Sequence, residues 1–184
     1  LGRFAFMAQE DKLSDRDVER VRDALFQAFD HDRDIDVSLR AFESLACFNT
    51  KRTDQMIIDA YTSGDVSRKR SAIYAMGRTS NPRWLPSILA ELDDKDPAIR
   101  FEATTACGLL GEEETVPHLI SLINDEDIEV QISAIKALGA TGGKLAQQAL
   151  LKCVEKDDHL SEAAQDALNA LDIDTNPLGS KLQP

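Results

Sequence analysis

Five residues in one short window carry the side chains of metal sites and acid–base catalysis. Cys107, the run Glu112 to Glu114 and His118 all fall within "ATTACGLLGEEETVPHL", residues 103–119. A thiolate and an imidazole could share a zinc ion or act as nucleophile and base, and carboxylates could bind a metal or move protons. Each of these uses requires the elements carrying the residues to converge on one point.

Those elements belong to a repeat, a signal that outranks local motifs. Asp34, Asp65, Asp96 and Asp127 are each 31 residues apart, and Asp157 follows after 30. Behind them the pattern recurs as "DIDVSLRAFESLA", "DVSRKRSAIYAMG", "DPAIRFEATTACG", "DIEVQISAIKALG" and "DDHLSEAAQDALN". Ala41, Ala72, Ala103, Ala134 and Ala164 form one column, and Leu45, Met76, Cys107, Leu138 and Leu168 another. Gly77, Gly108 and Gly139 form a third. Each unit reads as two helices. The Asp suits an N-cap, its carboxylate accepting from unpaired backbone N–H groups. The glycine-bearing segments are expected to end the first helix through the αL conformation. Second helices follow in "TDQMIIDAYTS", "PRWLPSILAEL", "ETVPHLISLIN" and "LAQQALLKCVE", with Pro82, Pro86 and Pro117 near their starts, where a missing N–H is tolerated. Ahead of the repeats, Ser14 caps a helix with apolar Val18, Val21, Leu25 and Phe29.

The expected organisation is therefore a disordered or truncated lead-in over 1–13 and a capping half-repeat helix over 14–33. Repeats follow at 34–64, 65–95, 96–126 and 127–156, then a half-repeat at 157–171 and a flexible tail at 172–184. The fold class is all-α, a right-handed α-solenoid of helix pairs with about 31 residues per repeat.

The unit "DPAIRFEATTACGLLGEEETVPHLISLIND" resembles the HEAT-like repeat of the phycobilisome lyases. Asp96, Pro97, Ile99, Arg100, Ala103, Ala106, Gly108, Gly111, Val116, Pro117 and Leu119 match that pattern, and the resemblance extends over residues 34–171. It is specific for fold and weak for function, because such repeats serve unrelated roles.

Composition narrows the partners. The chain of 184 residues is 42% hydrophobic but 5% aromatic, with a formal net charge of −12. That balance argues against nucleic acid and anionic membranes, which need a positive footprint. The charge is uneven: residues 66–83 hold Arg68, Lys69, Arg70, Arg78 and Arg83 and no acid, whereas 91–130 hold twelve acids against Lys95 and Arg100. Such runs are read as solvated faces. Cys47, Cys107 and Cys153 are far apart and odd in number, which fits a reducing, cytoplasmic setting better than a disulfide framework. No run approaches the roughly 18 apolar residues of a membrane span. The opening "LGRFAFMAQEDK" has no initiator Met or signal-peptide centre and reads as excised from something longer.

Register sorts the second-helix residues. Ile57, Ile88, Leu119 and Leu150, then Ile58, Leu89, Ile120 and Leu151, then Tyr61, Leu92, Ile123 and Val154, form an arc expected to face the partner helix. The opposite arc holds Met56, Ser87, His118 and Ala149; Asp59, Ala90, Ser121 and Lys152; and Arg52, Arg83, Glu114 and Leu145. In such solenoids the second helices line the concave surface, where extended partners bind. Arg83 is expected to pair with Glu114. Trp84, in a column with Thr53, Thr115 and Ala146, is expected to pack between repeats, with a role as a binding anchor the alternative.

The opening cluster then dissolves. Cys107 fills a Leu/Met slot while His118 points the other way on a different helix, so a shared zinc or a Cys–His pair is not expected. Glu112 and Glu113 lie in a turn before a helix start, where carboxylates suit the helix dipole. The sequence contains no HExxH, GxSxG or GxxxxGK. His31, His118 and His159 are not followed by Glu, as iron-binding repeat hydroxylases would require, and the basic aromatic groove of repeat-built DNA glycosylases is missing. The expected function is a non-catalytic protein-interaction scaffold with no cofactor and no metal, docking a protein or peptide on the concave face. Its candidate contacts are Arg52, Met56, Asp59, Arg83, Trp84, Ser87, Glu114, His118 and Ser121. The alternatives are a bilin or tetrapyrrole lyase or chaperone, implied by the resemblance, and a structural spacer in a larger protein.

Overall fold

A computed structural model of the chain describes residues 2–9, 12–156 and 159–175. Among these the regular structure is helical throughout, and the fold class is all-α, built from stacked helix pairs in the manner of an α-solenoid. Two compact units divide the chain at Trp84 and Leu85.

In the first unit, α1 (Gly2–Gln9), α2 (Asp15–His31), α3 (Ile35–Leu45), α4 (Lys51–Tyr61) and α5 (Val66–Arg78) follow one another, with 3-10 turns at Ala46–Phe48 and Pro82–Trp84. The lead-in expected to be disordered thus contains a helix. Its Ala5 is fully buried in a core with Leu25, Ala41 and Leu45, so α1 is held by apolar packing. In the second unit, α6 (Leu85–Leu89), α7 (Pro97–Leu110), α8 (Val116–Leu122), α9 (Ile128–Thr141), α10 (Gly143–Glu155) and α11 (Ser161–Thr175) alternate between two layers. Here α7, α9 and α11 pack side by side, and α8 and α10 lie against α9. The last helix runs to Thr175, past the expected start of the tail at 172; residues 176–184, and Asp157 with its expected cap, lie outside the described residues.

The repeated Asp does what its position implies. Asp34 Oδ1 accepts from Asp36 N, Asp96 Oδ1 from Ala98 N and Asp127 Oδ1 from Glu129 N, each at 2.9 Å, and Asp65 Oδ1 accepts from Arg68 N at 2.9 Å. Ser14 Oγ accepts from Asp17 N in the same way. A second capping column lies two residues earlier: Asp32, Asp94 and Asp125 each accept from the N–H of the following repeated Asp at 2.8–2.9 Å. The acid density of 91–130 is therefore partly a device for satisfying helix-start donors. It is not only a solvated face.

The glycine column has a different role from the one its position suggests. Gly77, Gly108 and Gly139 lie inside α5, α7 and α9; within the glycine-bearing segments the residues that close α7 and α9 are Gly111, in αL, and Gly142, which has positive φ but lies outside αL. A Cβ on Gly108 would stand 2.9 Å from Ala137 Cα, and one on Gly139 would stand 2.8 Å from Ala167 Cβ. Within the second unit these glycines let successive first helices approach more closely than any side chain would permit.

The turn before α9 holds a buried ion pair. Arg100 donates through Nε to Asp125 Oδ2 at 2.8 Å and through Nη2 to Asp125 Oδ1 at 2.7 Å, while its Nη1 donates to Asp94 O at 2.9 Å. The side chains of the pair are 8% and 6% exposed. Hydrogen bonding to Asp125 raises the Arg100 pKa further. Burial would raise the Asp125 carboxyl, but the Arg100 hydrogen bonds, the Asp127 N–H and the guanidinium charge outweigh it and hold the group below its ordinary value. The residue one repeat later, Gln131, performs a neutral version by donating to Asp125 O at 2.6 Å.

Candidate partner-binding faces

The residues of the opening window do not converge. Cys107 is fully buried and desolvation pushes its thiol up to about 12, so it is a protonated core residue at neutral pH. His118 is exposed on α8. Glu113 and Glu114 lie in a 3-10 turn, Glu113–Thr115, whose Thr115 Oγ1 donates to Glu112 O at 2.7 Å. His159 lies elsewhere, with Nε2 2.9 Å from Gln131 Oε1. Among the described residues no three His, Cys, Asp or Glu side chains are grouped as a metal site.

The buried arc of the second helices is rotated from the expected one. Ile57, Ile88, Leu119 and Leu150 are fully buried as their column predicts. The neighbouring column is not covered: Ile58 is 43% and Leu151 48% exposed, and Leu89 and Ile120 are half-buried. The column four residues before the central one replaces it, with Thr53, Thr115 and Ala146 almost wholly buried and Trp84 9% exposed. At about 100° per residue, the shift moves the covered stripe from one flank of the central residue to the other. Both flanks carry apolar residues, so periodicity alone does not choose between them.

The nine candidate contacts divide accordingly. On α4, Arg52 and Asp59 are exposed, whereas half-buried Met56 packs against the first unit's core. Arg52 is already engaged: Nη2 donates to Asp30 Oδ1 at 2.7 Å and the guanidinium lies 4.1 Å from the centroid of the Phe26 ring. Arg83 follows the same design, paired with Asp54 and lying over Trp84. Its ion pair therefore runs back to Asp54 on the preceding second helix, not forward to Glu114. Trp84 is a packing residue and presents little surface to a partner. In the second unit Ser87 is half-buried, while Glu114, His118 and Ser121 are exposed; Ser121 Oγ donates to Pro117 O at 3.4 Å.

Two cavities were not apparent from the sequence. One of about 280 Å³ opens between α8 and α10 over Ile120, Ile123, Leu145 and Ala149, with Lys152 and Lys156 beside them. Ile120 had been assigned to the core and Leu145 to the outer face, and the groove forms because neither helix covers the other there. The larger cavity, about 630 Å³, lies in the first unit among α2, α3 and α5. Tyr74 and Arg78 line it together with Asp36, Arg40 and Glu43, mixing both charge signs. It draws mainly on α3 and α5, the first helices of their pairs.

These features define an all-α repeat protein. Comparison with known families agrees for the second unit: residues 85–172 match the family model for HEAT repeats. That stretch begins where the second compact unit begins. No curated protein matches the chain.

Proposed function

We propose that the chain is a non-catalytic interaction module in which the outer faces of the second helices dock a protein or peptide partner. The observation that carries this reading is the open groove between α8 and α10. There Leu145 and Ala149 of the outward arc meet Ile120 and Ile123 of the inward arc, and Leu145 remains 51% exposed. Exposed His118 and Ser121 extend that face on α8, and Arg52 and Asp59 form its counterpart on α4 in the first unit. HEAT repeats commonly act as protein-interaction scaffolds, which favours the same reading. The net charge of −12 argues for a protein partner over nucleic acid or an anionic membrane. Among the described residues no helix is long and apolar enough to cross a membrane. The cysteine usage suits a cytoplasmic setting.

The tetrapyrrole reading needs a roomy apolar groove on this face. The space between α8 and α10, about 280 Å³, is lined by apolar side chains with two lysines beside them, which favours side-chain anchoring by a peptide. The test is recovery of a native partner by the wild-type chain and by a His118→Glu, Ser121→Arg, Lys152→Glu variant, all at exposed positions. Loss of that partner, with helicity retained, is expected. Undiminished recovery would show that the face is not the docking surface.

A further inference from the structure

The groove between α8 and α10 combines two properties that define the chemistry of its occupant. Its floor is apolar, from Ile120, Ile123, Leu145 and Ala149, and Leu145 remains 51% exposed. Among the described residues its charged lining consists of Lys152 and Lys156, with no Asp or Glu. In a chain with 33 acidic residues against 21 Lys and Arg, a groove whose described charged lining is two lysines stands out against the overall charge. Both lysines are exposed, and among the described residues neither is joined to a carboxylate. Leu145, Ala149, Lys152 and the C-cap residue Lys156 fall three or four residues apart along α10 and its end, so apolar and cationic groups share one helix face.

From this we infer that the groove binds an acidic amphipathic peptide segment of another protein. One or two apolar side chains would enter the space of about 280 Å³, and flanking Asp or Glu residues would pair with Lys152 and Lys156. This rests on the docking reading above and supplies the partner's chemistry. The apolar anchor provides affinity, while the exposed lysines provide selection and association rate, both of which weaken with salt.

The test uses the full chain and a phage-displayed library of randomised short peptides. Enriched peptides are expected to be net acidic, with Leu, Ile, Met or Phe at helical spacing. Their dissociation constants should rise about tenfold in Lys152→Glu/Lys156→Glu, as expected for two exposed ion pairs turned repulsive. Leu145→Glu should weaken them at least as much. Lys136→Glu, at an exposed site on α9 outside the groove, should leave them unchanged. Circular dichroism of each variant separates loss of binding from loss of fold. Enrichment of neutral or basic peptides, equal binding by the groove variants, or no enrichment overturns the inference. If the native partner is still lost from the His118, Ser121 and Lys152 variant while no acidic peptide is enriched, only the partner chemistry is wrong. If that variant also keeps its partner, the docking reading fails with it.

Discussion

Replacing Arg100 with Met removes a guanidinium that makes two hydrogen bonds to Asp125 and one to the carbonyl of Asp94, while keeping most of the side-chain volume. What remains is a carboxylate with a 6% exposed side chain, retaining the Asp127 N–H as a donor. Removing one member of a buried pair costs about 3–5 kcal/mol because the other charge is left uncompensated. The lower end applies here, since Asp125 keeps a backbone partner, and about 3 kcal/mol is expected at neutral pH. The pH dependence has a defined sign. In the wild type the folded-state pKa of Asp125 is depressed, so its stabilisation is present above the ordinary carboxylate value and is lost as pH falls through the folded value. Without Arg100, burial dominates and the carboxyl pKa rises; the deficit should therefore be largest near neutrality and shrink on acidification. Native-state hydrogen exchange of the α7 and α9 amides reads this locally, whereas Trp84 fluorescence reports on the other unit. An acceleration on the order of a hundredfold is expected at neutral pH. A change below about threefold, or a deficit independent of pH, would refute the argument.

Two further outcomes follow from the packing. Gly139→Ala should destabilise the second unit by about 1–3 kcal/mol despite better helix propensity, because the new methyl would stand 2.8 Å from Ala167 Cβ. Adding Ala167→Gly should recover part of that loss in the same exchange measurement, and a stabilised single variant would contradict the close approach. Cys107 should resist a thiol reagent at pH 8 in the native chain and react once urea unfolds it, because it is buried and its thiol pKa is near 12. Peptide mapping of labelled sites checks this, and rapid native labelling would contradict the burial.

Much of the architecture is legible because a repeat supplies several copies of each structural decision. The Asp column marks helix starts whose N–H groups need acceptors, and Cys107 is identifiable as a core residue because Leu45, Met76, Leu138 and Leu168 share its slot. The remainder depends on relations that a column does not contain. Ile58 and Leu151 are as apolar as core residues, yet only the angle between packed helices decides that they remain exposed. The segments that hold Gly108 and Gly139 do end their helices, at Gly111 and Gly142, but the close contact at Gly108 and Gly139 is set by Ala137 and Ala167 on the next first helix. Charge order along a column points Arg83 to Glu114, whereas its partner is Asp54, an acid of another column on the preceding second helix. The candidate surface loses Trp84 to packing for the same reason that it gains the groove: the covered stripe is rotated about the helix axis.

The docking proposal is tested most directly by photo-crosslinking in the native cell from single exposed positions. A photoreactive amino acid would replace Asp59 on α4, His118 on α8, or Lys136 on α9 as a control on a first helix. The account predicts that one partner protein is joined through His118 or Asp59 and not through Lys136. A partner joined through Lys136, with none captured from the second-helix positions, would contradict it.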